Sequence, residues 1–183
     1  RLAPLPLLDP ALLRLMNFAS QYYVHALGET ILPSIPRVWK KADEWEKIPK
    51  KIELAEKKKS KEKGLISEDL ISEEQLNTDQ KKALHELLAD GLKDNQFRAI
   101  LLQGQTGSGK TAVFLNWLTS ILKDEKAQVL LLVPEINLTP QLERRVKAYF
   151  PDKKMALLHS GISENKRGVA WYEAMTGRAQ IIL

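Results

Sequence analysis

The sequence predicts an α/β fold: a parallel sheet covered by helices, with a small helical appendage in front of it. Three observations lead there. Between residues 98 and 183, short apolar runs alternate with segments of helical length and pattern. The runs are apolar at consecutive positions, as in strands buried on both faces, and not at every second one. A glycine-rich turn also stands where the first run meets the helix that follows it.

The appendage comes first. Over residues 9–27, Asp9 can cap the orphan N–H groups and Pro10 suits the first helical position. Leu12, Leu13, Leu15, Met16, Ala19, Tyr22, Tyr23 and Ala26 recur near helical spacing, and Gly28 can supply a left-handed cap. Pro33 and Pro36 are expected to block any longer helix.

Residues 37–63 differ in composition, holding eleven Lys/Arg against six Asp/Glu. The whole chain has a formal net charge of +5, so this one segment carries all of the excess. Two readings stand open. One is a solvated helix or linker, which the interspersed acids favour. The other is a phosphate-contacting arm, with Trp39 and Trp45 available for base stacking and Lys57-Lys58-Lys59-Ser60-Lys61 for charge.

The α/β region follows. Gln75 to Gly91 reads as a helix, with Thr78 as its cap and Ala83, Leu84, Leu87 and Leu88 on one face. Arg98–Gln103 reads as a strand, Lys110–Leu122 as a helix, Gln128–Val133 as a second strand and Leu138–Phe150 as a helix. Lys154–His159 is a third strand, Glu164–Thr176 a helix and Gln180–Leu183 a fourth strand. Strands joined by helices in this way imply right-handed β-α-β units. His25 and His85 read as lone helical histidines at surface or satisfied positions.

The strongest chemical signal is Gly104-Gln105-Thr106-Gly107-Ser108-Gly109-Lys110-Thr111, two glycines five apart followed by Lys and Thr. Glycines let successive N–H groups turn inward and approach a polyphosphate. The helix starting at Gly109–Lys110 points its positive end at the same phosphates. Lys110 can put a full charge on the β- and γ-phosphates, and the Thr111 hydroxyl suits a Mg²⁺ ligand. Because the motif lies between a buried strand and a helix, it predicts a nucleoside triphosphate site on a P-loop NTPase sheet. Gln80 is a second candidate, since its amide can match the adenine N6/N7 edge. An exposed helical glutamine is the equal alternative.

Composition bounds the rest. Hydrophobic residues are 44% and charged residues 28%, which excludes a disordered or collagen-like chain. Without cysteine there is no disulfide framework, no thiolate zinc site and no Cys nucleophile. No apolar run approaches the roughly 18 residues of a membrane span, so a soluble, cytoplasmic chain with no membrane partner is expected. Arg1 stands first, and 179–183 reads as a buried strand with no polar exit, so a segment of a larger protein is expected.

Four blocks now occur in order: Leu76-Asn77-Thr78-Asp79-Gln80, the loop 104–111, Val133-Pro134-Glu135-Ile136-Asn137-Leu138-Thr139-Pro140-Gln141, and Leu158-His159-Ser160-Gly161-Ile162-Ser163. Together they resemble the PriA family of primosomal replication-restart DNA helicases, in superfamily 2. The third block with His-Ser-Gly following it is far more specific than the phosphate loop. Gln21–Glu29 looks like the end of that family's N-terminal DNA-binding domain. The resemblance implies three regions: 1–36, the end of that domain; 37–72, a charged linker or reduced winged-helix region; and 73–183, the N-terminal part of a RecA-like ATPase lobe.

The resemblance also implies roles. Gln80 corresponds to the adenine-reading glutamine, and Gly104–Thr111 to the ATP-binding motif, with Lys110 and Thr111 as its catalytic pair and Thr111 on the metal. Residues 134–141 correspond to a motif along the single-stranded DNA track. Thr139, Gln141 and Arg144 are the phosphate-contact candidates there, although Arg144 and Arg145 read almost as well as a solvated helix face. No catalytic role is assigned to His159 or Ser160. The implied cofactors are ATP and Mg²⁺, with zinc expected only in a C-terminal part of the family. The implied partners are single-stranded or forked DNA, replication-restart proteins and single-stranded DNA-binding protein.

Two positions depart from the family: Ala112 stands for a usual Glu and Asn137 for a usual Gly. The family's acidic water-activating motif, second lobe and arginine finger are expected beyond residue 183. The expected function is therefore the ATP-binding lobe of an ATP-dependent DNA helicase, inactive on its own. The alternative is a nucleotide- and DNA-binding or protein-docking module without turnover. A small-molecule kinase would leave the Thr-Pro-Gln block unexplained.

Overall fold

The computed structural model describes residues 9–40, 47–48, 50, 52, 75–91, 97–134 and 139–183. They fall into two compact units, one within Arg1–Lys63 and Leu158–Glu173, the other within Gly64–Leu157 and Ala174–Leu183. No helix among the described residues is long and apolar enough to cross a membrane.

In the first unit, α1 (Pro10–Tyr22) starts as its sequence dictates, with Asp9 Oδ1 accepting from the Ala11 N–H at 2.6 Å. It ends earlier than the apolar spacing suggests. Val24 takes a left-handed φ of 57°, which costs a β-branched residue more than it would glycine. Ser20 Oγ donates to the His25 carbonyl at 2.7 Å, which ties the bend down, so His25 is not helical. The chain restarts as α2 (Leu27–Ser34), and Gly28 lies inside that helix with no left-handed φ. Pro33 does not block α2 but sits in its last turn, where the lost N–H removes a single bond.

A 3₁₀ turn, Arg37–Lys40, follows. It lies on α6 (Glu164–Met175) through Trp39, whose Nε1 donates to the Gly168 carbonyl at 3.3 Å. The Trp39 ring meets Trp171 edge-on at 5.4 Å. Trp39 is buried and is not available for base stacking. Ile48 and Ile52 are buried too, so the charged segment is not a wholly solvated linker. Trp45 and the lysine run 57–61 lie outside the described residues.

The second unit holds the sheet. Strands β1 (Val129–Leu130), β2 (Met155–Ala156) and β3 (Ile181–Ile182) pair in the order β1-β3-β2, all parallel. Val129 stands opposite Ile181, as does Met155. Hydrogen bonds from the Val129 N–H to the Gln180 carbonyl and from the Leu131 N–H to the Ile182 carbonyl, each 2.8 Å, extend the ladder past its two-residue core. Helices α3 (Thr78–Gly91), α4 (Lys110–Ile121) and α5 (Thr139–Tyr149) lie in this unit. Leu115, Leu118 and Leu122 pack with Val146 and Phe150 against Val129 and Ile181, forming one core. A second core joins Leu76, Leu84 and Leu87 to Ala112 and Val113, seating α3 on α4.

The predicted strand 98–103 is not one. Residues 97–103 join no ladder, and Phe97 and Leu101 are 95% and 86% exposed. An apolar run specifies burial on two faces but not the neighbour whose amides would pair with it, and no neighbour stands there among the described residues.

Two of the helical glycines, 28 and 168, predict opposite effects. A Cβ at Gly168 would overlap Val38 Cγ2 and lie 3.3 Å from Trp39 Nε1, whereas nothing stands within 4 Å of one at Gly28. Gly168→Ala should lower the unfolding free energy by about 1–3 kcal/mol in urea titration. Gly28→Ala should raise it by about 0.4–1 kcal/mol. Equal effects would contradict the packing of the 3₁₀ turn on α6.

Candidate nucleotide-binding site

The phosphate loop owes its shape to glycine. Gly107 and Gly109 have φ of +83° and +81°, a region that strains any residue carrying Cβ. Gly109 is the N-cap of α4, so the helix begins at Lys110 as the motif predicts. A Cβ at Gly104 would lie 2.7 Å from Ser108 Oγ, inside the turn of the loop. Lys110 Nζ reaches back across the loop and donates to the carbonyls of Gly104 (2.6 Å) and Gln105 (2.8 Å). Residues 104–108 are exposed, so a ligand can reach their backbone. Narrow glycine turns, a helix N-terminus and a lysine folded over the loop together fit a polyphosphate. Thr111 is the second residue of α4 and half-buried.

The structure brings Gln80 to this loop. Its Nε2 donates to the Ser108 carbonyl at 2.9 Å. A Cβ at Gly109 would fall on that same nitrogen, so the contact needs glycine there. Gln80 Oε1 accepts from the Asn77 N–H at 2.9 Å, and Asn77 Oδ1 accepts from the Gln80 N–H at 2.9 Å. This reciprocal pair is a capping box, so Asn77 and not Thr78 caps α3. Its partners are an N–H on one side and a C=O on the other, which fixes the amide's orientation. Asn77 was legible: an Asn followed three residues later by Gln is the capping-box spacing.

Ala112, the departure from the family pattern, is buried with Leu76, Leu84 and Leu87, where a small apolar side chain fits the α3–α4 seam. Thr139 opens α5, while Gln141 and Arg144 are exposed on it. Arg144 Nε donates to the Pro140 carbonyl at 3.3 Å, one turn back. Glu135 to Leu138, with Asn137 among them, lie outside the described residues. His159 closes its own turn, its Nδ1 accepting from the Gly161 N–H at 3.1 Å.

Comparison with known proteins gives a consistent set of relatives. The DEAD/DEAH box helicase family matches residues 77–183. Replication restart protein PriA of Haemophilus influenzae is 41% identical over 108 residues, 59% of this chain and 14% of the relative. The Bacillus subtilis protein of that name is 37% identical over 94 residues, 51% of this chain and 11% of its own. That of Chlamydia pneumoniae is 35% identical over 123 residues, 64% of this chain and 16% of its own. The chain thus spans only a small part of the length of these relatives.

Two substitutions separate the helix cap from the loop contact. Gln80→Glu keeps an acceptor for the Asn77 N–H but loses the donor to Ser108. It should leave the melting temperature near its starting value while amide exchange in 104–109 speeds up. Gln80→Ala loses both bonds and should cost about 1 kcal/mol more. Unchanged exchange in Gln80→Glu would show that the Ser108 bond does not hold the loop.

Proposed function

The chain belongs to the DEAD/DEAH box helicase family, and from that membership we propose that it grips ATP for a DNA helicase that restarts stalled replication. The observation that carries this reading is the Gly104–Lys110 turn, with Lys110 Nζ folded over the loop carbonyls and Gln80 bonded to Ser108. Phosphates that approach this loop meet exposed backbone at 104–108, the positive end of α4 and a lysine already within reach. Gln80 has a donor and an acceptor at the loop rim, the two functions that adenine N7 and N6 require. Bound ATP would bring Mg²⁺ with it, for which Thr111 offers a hydroxyl ligand.

In this reading, 1–36 ends a DNA-binding domain, 37–72 is a charged linker or a reduced winged-helix region, and 73–183 begins the RecA-like lobe. Thr139, Gln141 and Arg144 would contact the phosphates of single-stranded or forked DNA. Replication-restart proteins and single-stranded DNA-binding protein would be partners of the whole cytoplasmic protein. The relatives, all replication restart proteins, support the replication-restart role. Hydrolysis would need a carboxylate to orient water, and the family supplies it from a motif beyond those matched here. The 183-residue chain alone would therefore bind nucleotide without turning it over.

In the whole protein, Lys110→Ala should lower DNA-stimulated ATP hydrolysis by about 100-fold or more, in line with the loss of one positioned charge at a transition state. Hydrolysis that survives the substitution would overturn the role of Lys110. Titration of the 183-residue chain with a fluorescent ATP analogue should give saturable binding that Lys110→Ala weakens, with no phosphate released.

A further inference from the structure

A cleft of about 670 Å³ opens within the first unit, between the 32–40 segment and residues 158–171. No residue of the phosphate loop or of α5 lines it. Three cations, Arg37, Lys40 and Arg167, face one acid, Glu164. That acid is committed: its Oε1 pairs with Arg167 Nη1 at 3.0 Å, and its Oε2 accepts from the Arg37 N–H at 3.3 Å. Arg167 is thereby neutralised. The side chains of Arg37 and Lys40 are in no ion pair among the described residues. They stand three apart on a 3₁₀ turn, where such positions eclipse, so both charges leave the same edge.

The neutral wall is as specific. Because His159 Nδ1 accepts from Gly161, the ring proton sits on Nε2, a donor. Trp171 lines the cleft and is held edge-on by Trp39, itself anchored to the Gly168 carbonyl. A flat ring fixed in place beside two adjacent free cations suits a ligand with a planar base and a concentrated anionic group. The volume lies in the range of about 300–1,000 Å³ typical of small-molecule sites.

We propose that this cleft is a second nucleotide site, taking one nucleoside phosphate unit with its base against Trp171 and its phosphate between Arg37 and Lys40. The unit can come from a single strand or from a free nucleotide. The site extends the nucleic-acid reading of α5 to a different place, and the two are tested by different residues.

The experiment titrates the 183-residue chain with fluorescein-labelled dT12 and with thymidine monophosphate. Both side chains are exposed, so Arg37→Gln with Lys40→Gln should keep the fold, checked by circular dichroism. The double variant should bind dT12 at least tenfold more weakly. Its slope of log affinity against log salt should be flatter by about 0.7, one phosphate contact on a single strand. The same loss in an Arg144→Ala background separates this cleft from α5, and unchanged ATP-analogue binding separates it from Lys110. Competition by thymidine monophosphate assigns the site to free nucleotides, and binding of dT12 alone assigns it to a strand. Unchanged affinity for both probes overturns the proposal. So does a hepta-glutamate peptide whose binding is lost in the double variant while both nucleotide probes bind as before.

Discussion

With φ at +81° and ψ at +20°, Gly109 turns the chain into α4 through a conformation closed to most side chains. The same missing Cβ lets the Gln80 amide lie against the loop. These two demands meet at one residue, and much of the second unit follows from them. Once Gln80 can reach Ser108, the N-terminus of α3 is fixed beside that of α4. The Leu76, Leu84 and Leu87 side chains then close over Ala112 and Val113. The end that carries the glycine-rich loop therefore rests on a backbone constraint, and the packing of two helices is its consequence.

Gly168 has the same logic in the first unit. A helix normally holds a neighbouring chain off by the length of its side chains, but here the 3₁₀ turn approaches until an indole N–H bonds the helix backbone. A buried tryptophan needs such a partner for its one polar atom. Trp117 shows the other case: its Nε1 is buried with no partner among the described residues. That is a cost of about 1–3 kcal/mol, met by the apolar packing of the ring around α3 and α4.

Local chemistry was legible and non-local pairing was not. The start of α1 at Asp9-Pro10, the start of α4 at Gly109 and the span of α5 all follow from caps and periodicity. The shape of the 104–109 turn was legible because the glycines and the lysine that make it are close together in sequence. The bend at Val24 was hidden because nothing in a valine announces a positive φ; a hydrogen bond from Ser20 holds it. The run 98–103 has the composition of a buried strand, yet a strand is made by its neighbour, and composition carries no information about who that is. Trp39 gave the same difficulty in reverse. In a charged segment it reads as an exposed ring, and only the groove at Gly168, more than a hundred residues away, buries it.

The order β1-β3-β2 has a consequence for how the chain acquires its shape. The middle strand is the latest in sequence, so β1 and β2 have no ladder to share until residues 181–182 arrive between them. Each strand pairing among the described residues then closes a loop of some 25 or 50 residues, and such closures are slow because their entropy must be lost before any contact forms. During synthesis on the ribosome, α3 and α4 can pair early through neighbouring residues, while the sheet stays unmade until its centre emerges. The glycine-rich loop is thus translated well before the sheet that will support it.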